Sequence, residues 1–164
     1  MKIILALLIN FAFILNIKAQ KMKEYIIEID INASKEVVWK IITDFEHYPK
    51  WNSILYMENN DRLILGNNFD VTINKPNNKQ SNFKAKAISK EHHESFAAQQ
   101  KMMGKWFFQA THFFIIKEID NESIKFIQKW EFKGILASMF LKQIFKELEG
   151  FKKMNSELKE YVEK

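Results

Sequence analysis

Few side chains in this 164-residue sequence are equipped for chemistry, and His112 stands first among them. It lies in THFFII (111–116), where strand alternation places Ala110, His112, Phe114 and Ile116 on one face. A histidine among phenylalanines in a cavity can orient a ligand carbonyl or act as a general base. It can equally be a buried histidine that hydrogen-bonds to a neighbouring strand or helix. Gln128 shares a face with Phe126 and Trp130 in IKFIQKWEFK (124–133), making it a second polar handle or simply a satisfied amide near a sheet edge. Phe132, Phe140, Ile144 and Leu148 would line a facing helix, although apolar stripes more often close a core than hold a cofactor.

Other candidates fall away on spacing. His92 and His93 sit between Glu91 and Glu94, but adjacent strand residues point to opposite faces and no further ligand follows at metal spacing. No metal site is expected. The stretch DFEHYPKWN (44–52) is dense in aromatics, yet it ends a helix and turns a corner. Phe45, Tyr48 and Trp51 are expected to plug that corner, with Asp44 or Asn52 as caps and His47 facing solvent. Only four glycines and no cysteine are present. That leaves no glycine-rich phosphate loop, thiolate site or cysteine nucleophile. No G-x-S-x-G or H-E-x-x-H motif occurs, so nothing requires catalysis, and no cofactor is expected.

The elements that must position His112 follow from periodicity. EYIIEIDIN (24–32) predicts a strand. Asn32 or Ser34 then offers an N-cap for a helix through KEVVWKIITDF, Ser34 being the cleaner start, and Tyr48-Pro49 should break it. Strands follow at the end of 51–59 and at 67–75, 82–90, 95–103, 106–119 and 124–133, with corners at PNNKQSN, EHHE and DNES. After Gly134, Leu136, Phe140, Ile144, Leu148, Phe151, Leu158 and Val162 predict one amphipathic helix of up to about 28 residues, in which Gly150 marks a bend or close contact. An antiparallel sheet of six to seven strands with one apolar face needs a cover, and this helix is the only long one.

Residues 1–19 carry Lys2, an apolar run from Ile3 to Leu15 and a small residue at Ala19, the layout of a secretory signal peptide. That predicts an exported protein, periplasmic or secreted, whose single domain is 20–164. An uncleaved anchor, or a cytoplasmic protein starting at Met22, are the rivals. One arginine, Arg62, against 24 lysines mixed with acids argues against nucleic-acid binding.

INASKEVVWKIITDFEHYPKWN (31–52) resembles the N-terminal signature of the START-like, or SRPBCC, superfamily, and within it the polyketide cyclase/dehydrase and lipid-transport group. The similarity continues through THFFII and the Trp130–Gly134 turn, covering about residues 24 to 163. It implies an α+β helix-grip fold: a curled antiparallel sheet around a long C-terminal helix, two short helices after the first strand, and a hydrophobic cavity between sheet and helix. The superfamily includes carriers and enzymes for lipids, sterols, hormones, quinones and polyketides. The expected function is therefore carriage of a small hydrophobic or amphipathic molecule by a monomer. Its binding residues are expected to be His112, Phe114, Phe126, Gln128, Trp130, Phe132, Phe140 and Ile144. Two alternatives stand beside it: a cyclase, dehydratase or isomerase using His112, and a protein-interaction module using Phe113 and Ile115 as an outer apolar patch.

Overall fold

The computed structural model describes residues 22–58 (without the Glu58 side chain), 63–75 and 79–164. The expected signal peptide, Arg62 and positions 76–78 of the PNNKQSN corner lie outside the described residues.

Strand β1 (Lys23–Ile31) turns Ile27 and Ile31 inward and leaves Ile26 exposed. Helix α1 (Lys35–Ile42) starts at Ser34, whose Oγ accepts from the Val37 amide at 3.5 Å. Glu36 in its first turn suits the helix dipole. Val38, Trp39 and Ile42 form its buried face. A 3-10 helix, Phe45–Lys50, follows. Phe45, Tyr48 and Trp51 are buried there as expected, and the Tyr48 hydroxyl donates to the Ile42 carbonyl at 2.6 Å. Asp44 makes no side-chain cap and instead holds His47. Asn52 organises the next turn, its Oδ1 accepting from the amides of Ile54 and Leu55.

Strands β2 (Leu55–Glu58), β3 (Asn68–Asn74), β4 (Gln80–Glu91), β5 (Ser95–Met102), β6 (Phe108–Asp120) and β7 (Ser123–Lys133) form one antiparallel sheet with β1. Its order is β1-β7-β6-β5-β4-β3-β2. Every strand from β2 to β7 pairs with its chain neighbour, whereas β1 crosses to pair with β7, Lys23 opposite Phe132 and Ile31 opposite Ile124. Register shifts in β4 between Ala87 and Ser89, and in β6 between Glu118 and Asp120, interrupt the ladders in the manner of bulges, which bend strands.

The single C-terminal helix expected from the sequence is three segments: α2 (Ile135–Met139), α3 (Leu141–Leu148) and α4 (Phe151–Val162). Phe140 leaves helical geometry at φ −105°, ψ 14°. At the second junction the Gly150 amide bonds the Glu147 carbonyl, and Lys152 and Lys153 likewise reach back three residues. That 3-10 tightening ends α3 while keeping Gly150 itself helical (φ −57°, ψ −28°). The apolar spacing runs on through both junctions, which is why the pattern showed one helix.

Helix α4 reaches both edges of the sheet. On the β1 side, Lys159 Nζ donates to the Asp30 carbonyl at 2.7 Å and Glu163 accepts from the Asn32 amide at 2.7 Å. At the entry to β2, Glu157 accepts from the Ser53 amide at 2.9 Å and from its hydroxyl at 2.6 Å. Charge-assisted bonds of this kind are the stronger ones, so they hold the curl closed.

Candidate functional site

Between the concave face and α3 and α4 lies an apolar cavity of about 450 Å³. Val71, Phe83, Ala98, Ala110 and Phe114 form part of the sheet wall, and Leu136, Phe140, Ile144, Leu148 and Phe151 the helical wall. Small residues make the space: Ala85, Ala98 and Ala110 stand on adjacent strands where larger side chains would fill it. Of the residues expected to bind ligand, His112, Phe114, Trp130, Phe132, Phe140 and Ile144 line the cavity. Phe126 and Gln128 do not. Phe126 is fully buried in the core beside Phe114, and Gln128 is fully buried with both ends of its amide engaged.

Those engagements define the polar centre of the site. Gln128 Nε2 donates to Asn155 Oδ1 of α4 at 2.6 Å, which turns Gln128 Oε1 toward His112 Nε2, 2.9 Å away. An amide oxygen only accepts, so His112 Nε2 carries the proton and Nδ1 keeps its lone pair. Burial pushes the His112 pKa down to about 3, the Gln128 hydrogen bond opposing it only partly. The ring is therefore neutral at physiological pH. It stacks on Trp130 at 4.1 Å between centroids and meets Phe114 at 4.0 Å and Phe151 edge-on at 5.5 Å. Among the described residues the one enclosed side-chain polar atom without a partner is Trp51 Nε1. His112 Nδ1, which also has no partner, is thus open to the cavity it borders.

Lys75 and Glu147 mark the solvent end, paired at 2.8 Å with side chains 25% and 37% exposed. Burial pushes the Glu147 carboxyl up, but hydrogen bonds from Lys75 and Gln143 outweigh it and hold the group below the usual carboxylate range. Sequence reasoning missed Asn155, although it falls four residues after Phe151 on the buried face of α4. It also missed Lys75, Glu147 and the contribution of β3 to β5, whose alternating Phe69, Val71 and Phe83 were the available signal.

A second cleft, bordered by Glu36, Lys40, Asp44, His47, Lys90 and His93, lies beside α1 and is largely charged. His92 and His93 occupy the turn expected at EHHE, so strand alternation does not govern them. Their rings lie 3.9 Å apart and both meet Trp39, so they do not point to opposite faces as expected. No group of three or more ligating side chains able to hold a metal occurs among the described residues. Phe113 and Ile115 are half-buried rather than an exposed patch, with Lys129 Nζ 4.8 Å above the Phe113 ring.

No family model and no curated protein matches the sequence. Solved structures do. Norcoclaurine synthase from Thalictrum flavum, in complex with dopamine and hydroxybenzaldehyde, superposes with a TM-score of 0.65 at 15% identity, covering 91% of this chain and 91% of that one. An aromatase/cyclase from a Streptomyces species gives 0.65 at 8% identity over 87% of this chain and 94% of its own. A protein from Arthrobacter aurescens gives 0.64 at 10% identity, covering 84% and 86%. That likeness is one of fold: a seven-stranded sheet curled against C-terminal helices, with short helices after the first strand, gives the protein a helix-grip fold.

Proposed function

We propose that the protein binds a small, mainly apolar molecule in the cavity and carries it unchanged. The molecule bears one hydrogen-bond donor, which it presents to His112 Nδ1. The observation that carries this reading is the pairing of an apolar cavity of about 450 Å³ with a lining imidazole whose Nε2 is held by Gln128, leaving Nδ1 as its one nitrogen without a partner. That volume suits a small-molecule site, where apolar walls supply affinity and a few fixed polar groups supply orientation. The stacked ring and the Gln128–Asn155 relay hold the acceptor in place before any ligand arrives, which lowers the ordering cost of binding. A phenol or an alcohol on a ring or chain has the required donor.

The depressed pKa also favours carriage over conversion. General-base catalysis works best with a pKa near working pH, and His112, at about 3, holds a proton too weakly. The likeness to a synthase and a cyclase concerns the fold and does not carry their reactions over. The N-terminal segment supports placing the carrier outside the cytoplasm.

Titration with a naphthol and with its methyl ether tests the reading by isothermal calorimetry. The naphthol should bind about tenfold more tightly, and His112→Phe should erase the difference. Ala110→Trp, which fills the cavity, should abolish binding of both without lowering the melting temperature. Equal binding of the two compounds to the native chain, or full binding to the filled variant, would overturn it.

A further inference from the structure

One lobe of the surface has a composition unlike the rest. Residues 101–107 (KMMGKWF) and 133–146 (KGILASMFLKQIFK) carry five lysines and no acid. The lobe's charge thus equals the +5 net charge of the whole chain, in which the remaining residues balance 20 basic with 20 acidic side chains. Backbone hydrogen bonds weld the two stretches together, from the Ile135 amide to the Trp106 carbonyl and from Leu136 to Phe107, both at 3.0 Å. Among the described residues none of the five lysines makes an ion pair, whereas β1, α1, β3, β4, β6, β7, α3 and α4 all carry one.

The same lobe holds the most exposed large apolar side chains described: Met139 at 71%, Met103 at 69% and Trp106 at 61%, with Ile135 and Phe140 more than half exposed. Met103 and Gly104 adopt positive φ in the β5–β6 turn, and residues 101–106 of it are exposed. Gly134 lets that turn lie against α2, since a Cβ there would sit 2.3 Å from the Phe107 carbonyl oxygen. The lobe borders the cavity, whose wall includes Met102, Leu136 and Phe140.

We propose that this lobe docks the protein on an anionic lipid bilayer. Unpaired cations around protruding apolar tips complement a surface of negative headgroups over hydrocarbon. Tryptophan favours the boundary between the two, its ring apolar and its N–H polar. A globular partner would need matched shape and acids, whereas a bilayer needs only depth and positive charge. Docking does not depend on the cavity reading; only the passage of a ligand between bilayer and cavity rests on it.

Co-sedimentation of the full chain with vesicles of phosphatidylcholine alone, and of phosphatidylcholine mixed with phosphatidylglycerol, provides the test. Binding is expected only to the mixed vesicles, weakening with salt, with a blue shift of Trp106 emission. Lys105→Gln and Lys142→Gln should each weaken it about fivefold. Trp106→Ser with Met139→Ser should weaken it at least about tenfold, with melting unchanged because both sites are exposed. Ala110→Trp should keep vesicle binding while losing naphthol, which separates this result from failure of the carrier reading. Equal binding to both vesicle types, no effect of these substitutions, loss of vesicle binding in Ala110→Trp, or dimerisation without vesicle binding would overturn the proposal.

Discussion

His112 Nε2 lies 2.9 Å from Gln128 Oε1, and that bond dictates which imidazole nitrogen is left to the cavity. Asn155 sets the amide's orientation from the opposite side, so a residue of α4 determines the hydrogen-bonding character of a residue on β6.

Acid should therefore destabilise the protein through His112. In the unfolded chain this histidine takes a proton near its ordinary 6.5, whereas in the fold it does so only near 3. Between those values the unfolded state binds more protons, so stability is complete above about pH 6.5 and falls as pH drops toward 3. The contribution to the slope is at most about 1.4 kcal/mol per pH unit. Urea midpoints measured across this window should show a shallower acid limb in His112→Asn. An identical limb would count against the buried neutral ring.

Gln128→Leu should cost about 2–4 kcal/mol, because it strips partners from both His112 Nε2 and Asn155 while leaving the cavity walls in place. Urea unfolding measures the loss. The companion Gln128→Glu places a carboxylate against the ring and should raise the His112 pKa, visible as a shifted titration of its ring protons by NMR.

Gly134→Ala should destabilise by about 2 kcal/mol or more. Its φ of +104° disfavours any Cβ, and that Cβ would meet the Phe107 carbonyl at 2.3 Å. Thermal melting tests this, with Gly66→Ala as the comparison: it shares a positive φ but has open space around it, so it carries the conformational cost alone.

Glu157→Ala should cost about 1–2 kcal/mol by releasing Ser53 from α4. Hydrogen exchange offers the sharper reading. Amide protection should fall first in β2, at the sheet edge that this contact secures, and not in β1, which Lys159 and Glu163 hold independently.

Most strands were legible because their inward-facing apolar residues alternate, so Phe69, Val71 and Ile73, or Ile124, Phe126 and Trp130, announce their period directly. The Ser34 cap and the Tyr48-Pro49 break were legible for a similar reason, since both are local. What the sequence concealed is non-local or unsigned. Phe140 interrupts the helix with no proline or glycine beside it, whereas Gly150 did announce the bend at which α3 ends. Gln128 could be placed on a face, but its partner Asn155 belongs to another element, and no local pattern pairs them. Periodicity likewise cannot distinguish a filled interior from a hollow one. The alanines at 85, 98 and 110 were the sign of hollowness, visible only once β4, β5 and β6 are known to lie side by side.

The strand order also sets the sequence of events in folding. β1 has one strand neighbour, β7, and Ile31 finds no partner until Ile124 has been made. The hairpins from β2 to β7 need only local closure and can assemble as the chain emerges, whereas the first strand must wait for the last. A chain still being synthesised thus keeps β1 unpaired, and the sheet is completed in a late step that joins its first strand to its last.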